Sequence, residues 1–340
     1  MGEADWIWLN DSKAVSDLLD KKGAKYSSRP PMPMFMDAGC NGNRQPFMPY
    51  NEKWRKVRKM SHTALNANAI ASYKNVQDLE SKQVLYDILN AKDETAVYDI
   101  NRRYSTSVIM TVAYGHRVPD WSDPWIQKIF QIMEHATIMG EPGKWLVDVF
   151  PSLAKLPPWM VQNWWAIGRS RCHDIRLAFI VTYPFTEWFE WDRQVFINLY
   201  RDIVQKYNEG TAPNCFVRDF YALDPESQGM TEEVAAYTAG TLVEGGSETT
   251  STMLNVWILA CQLYPDPVKI AQAELDRVVG SDRLPSFEDK DNLPYISAMV
   301  EETLRWWPIT KVGFFHSATE DGWYDGYFIP KNAVLILNWW

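Results

Sequence analysis

Apolar residues dominate the stretch between Thr231 and Pro265, where Val234, Tyr237, Leu242, Met253, Leu254, Val256, Trp257, Ile258 and Leu259 occupy more than one side of a helical period. That is the pattern of a helix through a protein interior. Thr231 suits an N-cap, Glu232 and Glu233 suit a first turn, and Pro265 cannot continue a helix. At about 1.5 Å per residue the element so bounded spans roughly 50 Å. Shorter patterned segments predict helices at about 11–22, 50–66, 68–92, 102–115, 122–139, 190–209, 266–279 and 294–306. Strands are expected at about 4–9, 312–316 and 333–338, with Gly322–Gly326 as the turn between two strands of a small sheet. The fold class read from this is mainly α with a small β-sheet, and with no repeat or low-complexity tract the chain reads as one domain over 1–340.

The long segment is interrupted by Gly245, Gly246, Ser247, Glu248, Thr249, Thr250, Ser251 and Thr252. Gly costs about 1 kcal/mol relative to Ala in a helix, and Ser and Thr compete for backbone carbonyls, so a local widening of the hydrogen-bond ladder is expected. Glu248 beside Thr249 is an acid beside an alcohol in an apolar context, where even a neutral polar group costs roughly 2 to 7 kcal/mol to bury unpaired. Two readings stay open. One is a site that moves protons; the other is a buried helix whose hydroxyls bond back to the backbone and whose glycines permit close packing. Further on, Glu302 and Arg305 lie three residues apart between Pro294 and Pro308, on one helix face. They can pair with each other or jointly clamp a backbone turn.

The order of these motifs resembles the cytochrome P450 superfamily, and within it the fungal microsomal type. Met48-Pro49-Tyr50 leading to Trp54 and Arg58 is similar to that family's W-x-x-x-R helix; Gly245-Gly246-Ser247-Glu248-Thr249-Thr250 matches its oxygen-activation stretch. Leu293-Pro294-Tyr295 before Glu302 and Arg305 looks like its E-x-x-R helix, and Pro330-Lys331 matches the small sheet that follows. The resemblance implies the P450 fold and a haem b (iron protoporphyrin IX) cofactor. It implies that Trp54 and Arg58 face one haem propionate, that His316 reaches the other, and that Gly245 and Gly246 lie against the cofactor. Glu248 then relays protons beside the alcohol of Thr249, which is general acid work. Ala239, Leu242, Ile309, Thr310, Lys311 and Val312 would line a pocket for a small apolar substrate, with a secondary metabolite as the family-level guess. NADPH-cytochrome P450 reductase is the implied electron donor, and Arg55, Lys56, Arg58 and Lys59 form a basic face that either receives it or is merely solvated.

Two departures from the family pattern bear on activity. The axial cysteine loop, F-x-x-G-x-R-x-C-x-G, is absent from this sequence; none of Cys40, Cys172, Cys215 and Cys261 has that flanking pattern, so no residue is assigned to the metal. The segment at about 168–189, including Arg169 to Arg176, fits no family pattern and reads as an atypical insertion. The expectation is therefore an incomplete P450-type domain, ending before the ligand loop and starting without the membrane-anchoring helix. The competing expectation is an inactive remnant or a helical binding partner. An incomplete domain is also expected to expose apolar surface.

Composition narrows the remaining classes. With 340 residues, 46% of them hydrophobic, the chain can bury a sizeable core; a net charge of −9 argues against a nucleic-acid partner. Four cysteines without regular spacing fit a reducing compartment. No apolar run reaches the roughly 18 residues of a membrane span, and no signal peptide is legible, so a cytoplasmic site or one peripheral to the endoplasmic reticulum membrane is expected. Gly140-Glu141-Pro142-Gly143-Lys144 lacks the Ser or Thr of a phosphate loop, having Trp145 instead. The five histidines show no metal spacing, and no G-x-S-x-G occurs.

Overall fold

The computed structural model describes residues 2–156 and 185–339. The expected insertion at about 168–189 lies outside the described residues, apart from its last few positions, which open a helix. Helices dominate, in chain order α1 (Ser12–Val15), α2 (Gly23–Tyr26), α3 (Glu52–Ala64), α4 (Ala67–Ser72), α5 (Lys74–Leu89), α6 (Ala96–Tyr114), α7 (Pro124–Gly140) and α8 (Leu146–Val149). Beyond residue 184 follow α9 (Phe185–Asn208), α10 (Phe216–Tyr221), α11 (Glu232–Leu263), α12 (Pro265–Val278) and α13 (Pro294–Trp306).

Caps account for several boundaries. Asn51 Oδ1 accepts from Trp54 N at 2.9 Å to start α3, Asp123 accepts from Trp125 N at 2.8 Å ahead of Pro124, and Thr231 Oγ1 accepts from Val234 N at 3.3 Å to start α11. Helix α13 has no residue of its own to cap it; Glu274 of α12 reaches across to accept from Tyr295 N and Ile296 N. The segment expected as one helix at 11–22 is α1 followed by a π-helical turn, Ser16–Asp20, and the segment at 68–92 breaks into α4 and α5 at Tyr73. A second π-helical turn, Pro33–Ala38, and the short α10 were not foreseen, because neither carries a full amphipathic period.

The small sheet joins distant ends of the chain. β1 (Trp6–Leu9) runs parallel to β5 (Val334–Leu337), with Trp6 opposite Val334, and β2 (His316–Ser317) pairs antiparallel on the other side of β5. The strand expected at 312–316 is confined to His316–Ser317; Arg29 donates to the carbonyls of Phe314 and Phe315, so a side chain takes the place of a ladder there. β3 (Gly322–Tyr324) and β4 (Tyr327–Ile329) form a separate hairpin. Its turn is Asp325-Gly326 alone, with φ of 50° and 81°, the two left-handed positions a type I′ turn requires. Gly322 is therefore a strand residue and not part of the turn.

The main core gathers α3, α6, α7, α9, α10, α11 and the loop ahead of α3, with Phe196, Phe216, Phe220, Met110 and Tyr237 buried in it. A smaller cluster, with Leu9, Leu18, Tyr26 and Leu335, lies under the sheet. On and just after α13, Val300, Leu304, Trp307, Ile309 and Phe314 are exposed.

Candidate functional site

The long helix α11 crosses the core as uninterrupted α-helix from Glu232 to Leu263. The expected widening at Gly245–Thr252 is not there. Three of its hydroxyls instead bond back within the helix: Ser247 to Val243 O at 2.7 Å, Thr249 to Gly245 O at 2.6 Å, and Ser251 to Ser247 O at 3.2 Å and Glu248 O at 3.0 Å. Such bonds satisfy the hydroxyl without opening the backbone ladder. The glycines divide between two roles. Gly246 lies against Ile109 of α6, and Gly245 faces open space. Ser105 Oγ donates to Ser247 O and Asn101 Nδ2 to Asn255 Oδ1 (2.7 Å), so polar contacts tie α6 to α11 along the side of this close approach that runs toward the start of α6.

Glu248 is not the buried carboxylate that its apolar sequence context suggests. Its side chain is 41% exposed, and Oε1 lies 3.2 Å from Arg102 Nη2 of α6. The severe burial cost therefore does not arise, because the acid sits at the margin of the core with a cation beside it. Thr249 is exposed on the next face of the helix.

Glu302 and Arg305 pair with each other in a fork, Nε to Oε2 and Nη2 to Oε1, both at 2.6 Å. Their side chains are 59% and 71% exposed. Of the two expected arrangements this is the mutual pair, and among the described residues no hydrogen bond from it clamps a backbone turn.

Trp54 and Arg58 share one face of α3, four residues apart. The Trp54 ring packs on Tyr50 at 5.1 Å, while Arg58 is exposed and, among the described residues, has no hydrogen-bond or ion-pair partner. His316 is half-buried with Nδ1 3.1 Å from the carbonyl of Tyr26, which can only accept, so Nδ1 carries the proton. Burial, with Arg29 nearby, pulls its pKa down to about 4. A neutral His316 then presents an acceptor at Nε2, which is the wrong polarity for holding a carboxylate. Arg29 lies alongside and stays charged, its pKa lowered by burial only to about 10.

The expected pocket residues are dispersed. Ala239 is fully buried, Leu242 packs at the edge of the main core, and Ile309 and Thr310 are exposed. Val312 is half-buried, and the Lys311 ammonium sits over the Trp307 ring at 5.0 Å. A surface cleft of about 680 Å3 between the loop ahead of α3 and the start of α11, lined by Asn43, Lys53, Lys56 and Glu233, includes none of them.

Sequence reasoning passed over one polar centre. Arg44 is 1% exposed and donates to Glu244 from Nε and Nη2, at 3.0 and 2.8 Å, beside a buried contact between Asp192 and His135. Glu244 directly precedes Gly245, so an acid in an apolar run was the available signal; Glu248 drew attention because it sits next to an alcohol.

Among the described residues no group of three or more His, Cys, Asp or Glu could hold an ion. Cys40 and Cys215 are buried, and burial pushes up their thiols and that of Cys261; Cys172 lies outside the described residues.

Comparison with known proteins fits this arrangement of helices. The chain is 46% identical over 341 residues to the cytochrome P450 monooxygenase verL of Clonostachys rogersoniana, covering 100% of this chain and 59% of that protein. It is 35% identical to the cytochrome P450 monooxygenase virE of Hypocrea virens, over 98% of this chain and 57% of that protein. The chain thus spans under two thirds of the length of these relatives. A zebra fish cytochrome P450 solved with progesterone shares the fold at a TM-score of 0.75 and 21% identity, over 98% of this chain and 73% of its own. The sequence profile described as Cytochrome P450 matches residues 1–340. The mainly helical fold, the motif order and these matches agree, and the chain belongs to the cytochrome P450 family.

Proposed function

We propose that this chain is the oxygen-handling portion of a haem-dependent monooxygenase that oxidises a small apolar substrate of fungal secondary metabolism. The observation that carries the reading is the 46% identity, over the full length of this chain, to a fungal cytochrome P450 monooxygenase. Family membership implies haem. When bound, haem supplies the activation of O2 for insertion of one oxygen atom into substrate.

The residues present fit one edge of that group better than its iron. Arg58 offers a propionate an exposed guanidinium that has no partner among the described residues, with Trp54 on the same helix face. Arg29 is better suited than His316 to the other propionate, being charged where His316 is neutral. No described cysteine has the surroundings of a ligating thiolate, so no step through iron is derived. Glu248 sits at the boundary between solvent and the helix surface bearing Thr249, where it can exchange a proton with water and pass it inward. Arg102 Nη2 lies 3.2 Å from its Oε1.

NADPH-cytochrome P450 reductase is the proposed electron donor, meeting the basic face of α3. A single domain over 1–340 and a location in the cytoplasm or at the endoplasmic reticulum surface complete the proposal; no helix among the described residues is long and apolar enough to cross a membrane. Titration of the purified chain with haemin, followed at the Soret band, tests the reading. Saturable uptake that weakens at least tenfold in Arg58→Ala supports it, and no uptake by either protein overturns haem binding by this chain.

A further inference from the structure

Four elements send polar side chains to one buried point, away from the family motifs. Arg44, from the loop ahead of α3, holds Glu244 of α11, and its Nη2 lies 3.7 Å from Asp192 Oδ2 of α9. Asp192 is fully buried, and its Oδ1 is 2.8 Å from Nδ1 of His135 on α7. Trp188 stacks on that imidazole at 4.3 Å, with planes 7° apart, and Trp191 meets it edge-on.

Counting charges locates a proton. Arg44 and Glu244 cancel, leaving the pair Asp192 and His135. Among the described residues Asp192 Oδ2 has no hydrogen-bond partner although it is buried. As half of a carboxylate it would be an incompletely compensated anion; as the carbonyl oxygen of a neutral acid it carries only a dipole, which is far less costly to bury. With the proton on Oδ1, the contact to Nδ1 becomes a donor and an acceptor, and the imidazole stays neutral with its hydrogen on Nε2. We propose that Asp192 carries one proton shared with His135, and that this proton latches α7, α9 and the loop 33–48 onto the turn of α11 that leads into Gly245-Gly246. Asp192 is a positioning residue, acting through Arg44 and Glu244. The inference does not rest on haem binding.

The groups facing the pair come from each packed element. Glu134 of α7 favours a charged imidazole and Arg44 opposes it; Arg44 favours a charged Asp192 and Glu244 opposes it. Tyr237 of α11 and Cys40 of the loop are kept neutral by burial. Burial outweighs the charges, pushing Asp192 up to about 8 and holding His135 below its ordinary value. A raised acid stabilises the closed arrangement fully below its released pKa of 3.8, and that contribution is lost as pH rises to about 8. A depressed histidine contributes above 6.5 and loses its contribution as pH falls. Between these limits Asp192 sets the slope together with Asp148, whose carboxyl is raised to about 7 and accepts from Met34 N of the loop.

Hydrogen exchange of the full chain tests this, read as protection factors for amides 33–48 and 240–246. In an Asp148→Asn background, protection should fall by about tenfold per pH unit between about pH 6.5 and 7.5, the slope for one proton, and adding Asp192→Asn should make it flat. Equal slopes in the two proteins would overturn the latch. A second readout needs no variant: the nitrogen-15 side-chain spectrum of the five histidines, with His135 assigned through its contact to Trp188. A neutral ring with its hydrogen on Nε2 at pH 7 supports the proposal, and an imidazolium overturns it.

Discussion

A Cβ built on Gly246 would lie 2.5 Å from Ile109 Cγ1 and 2.8 Å from its Cβ, so α11 and α6 meet there with no room for a methyl group. Ile109 cannot swing clear, because its own Cβ is part of the contact. Gly245, one residue earlier, faces open space. The two glycines should therefore respond oppositely to alanine. Gly246→Ala should destabilise by about 1–3 kcal/mol through overpacking, while Gly245→Ala should stabilise by up to about 1 kcal/mol through helix propensity. Urea denaturation midpoints of the two variants check this; a shift in the same direction would refute the packing argument.

That contrast also shows what the chain makes legible. Thr231 and Pro265 bracket α11 to within two residues of its observed ends, because caps and breakers act locally. What surrounds each residue of that helix is set by partners far along the chain. Glu248 reads as buried until Arg102 of α6 and the adjoining solvent are seen, and Glu244 reads as just another acid until Arg44, 200 positions earlier, is found clamped on it. The β1 and β5 pairing, between opposite ends of the sequence, is equally invisible to local pattern. His316 was assigned by its position in a motif, and the Tyr26 carbonyl that fixes its tautomer comes from 290 residues away.

Glu80 is the hub of a buried ion cluster joining α5 to α6. It is fully buried and accepts from Arg103 Nη1 and Arg117 Nε, both at 2.6 Å, and from Ser107 Oγ at 3.0 Å. Arg103 is itself 4% exposed at its side chain and, if Glu80 is removed, keeps Asp87 at 3.1 Å as its ion-pair partner and the Val118 carbonyl at 3.3 Å. Glu80→Ala should cost about 3–5 kcal/mol, because it strands a buried guanidinium. Loss below about 1 kcal/mol by denaturant titration would mean that Asp87 suffices.

Asp148 should make stability fall toward neutral pH. Burial pushes its carboxyl up to about 7, against a hydrogen bond from Met34 N at 2.8 Å and with Asp37 adding to the rise. The folded pKa lies above the unfolded value of 3.8, so the contribution is fully present below that value and is lost as pH rises through about 7. Asp148→Asn keeps the acceptor for Met34 and removes the titration. Denaturation midpoints at pH 5 and pH 8 should differ less in this variant than in the wild type; an unchanged difference would assign the pH dependence to other groups.

Glu248 offers a way to separate chemistry from structure. Its pair with Arg102 is part-exposed, and pairs of that kind contribute about 0–1 kcal/mol, so Glu248→Gln should leave the denaturation midpoint nearly unchanged. Haem uptake should likewise be unaffected, since neither Arg58 nor Trp54 contacts the residue. If Glu248 passes protons to the helix surface at Thr249, the glutamine variant of a haem-loaded, reductase-supported protein should lose roughly 100-fold or more in oxygen-dependent turnover, the usual scale for removing a general acid. Thr249→Val, which removes the hydroxyl now bonded to Gly245 O, should depress turnover with the same preserved fold. Full turnover in Glu248→Gln alongside normal stability would take the carboxylate out of the proton path and leave it as a surface partner of Arg102.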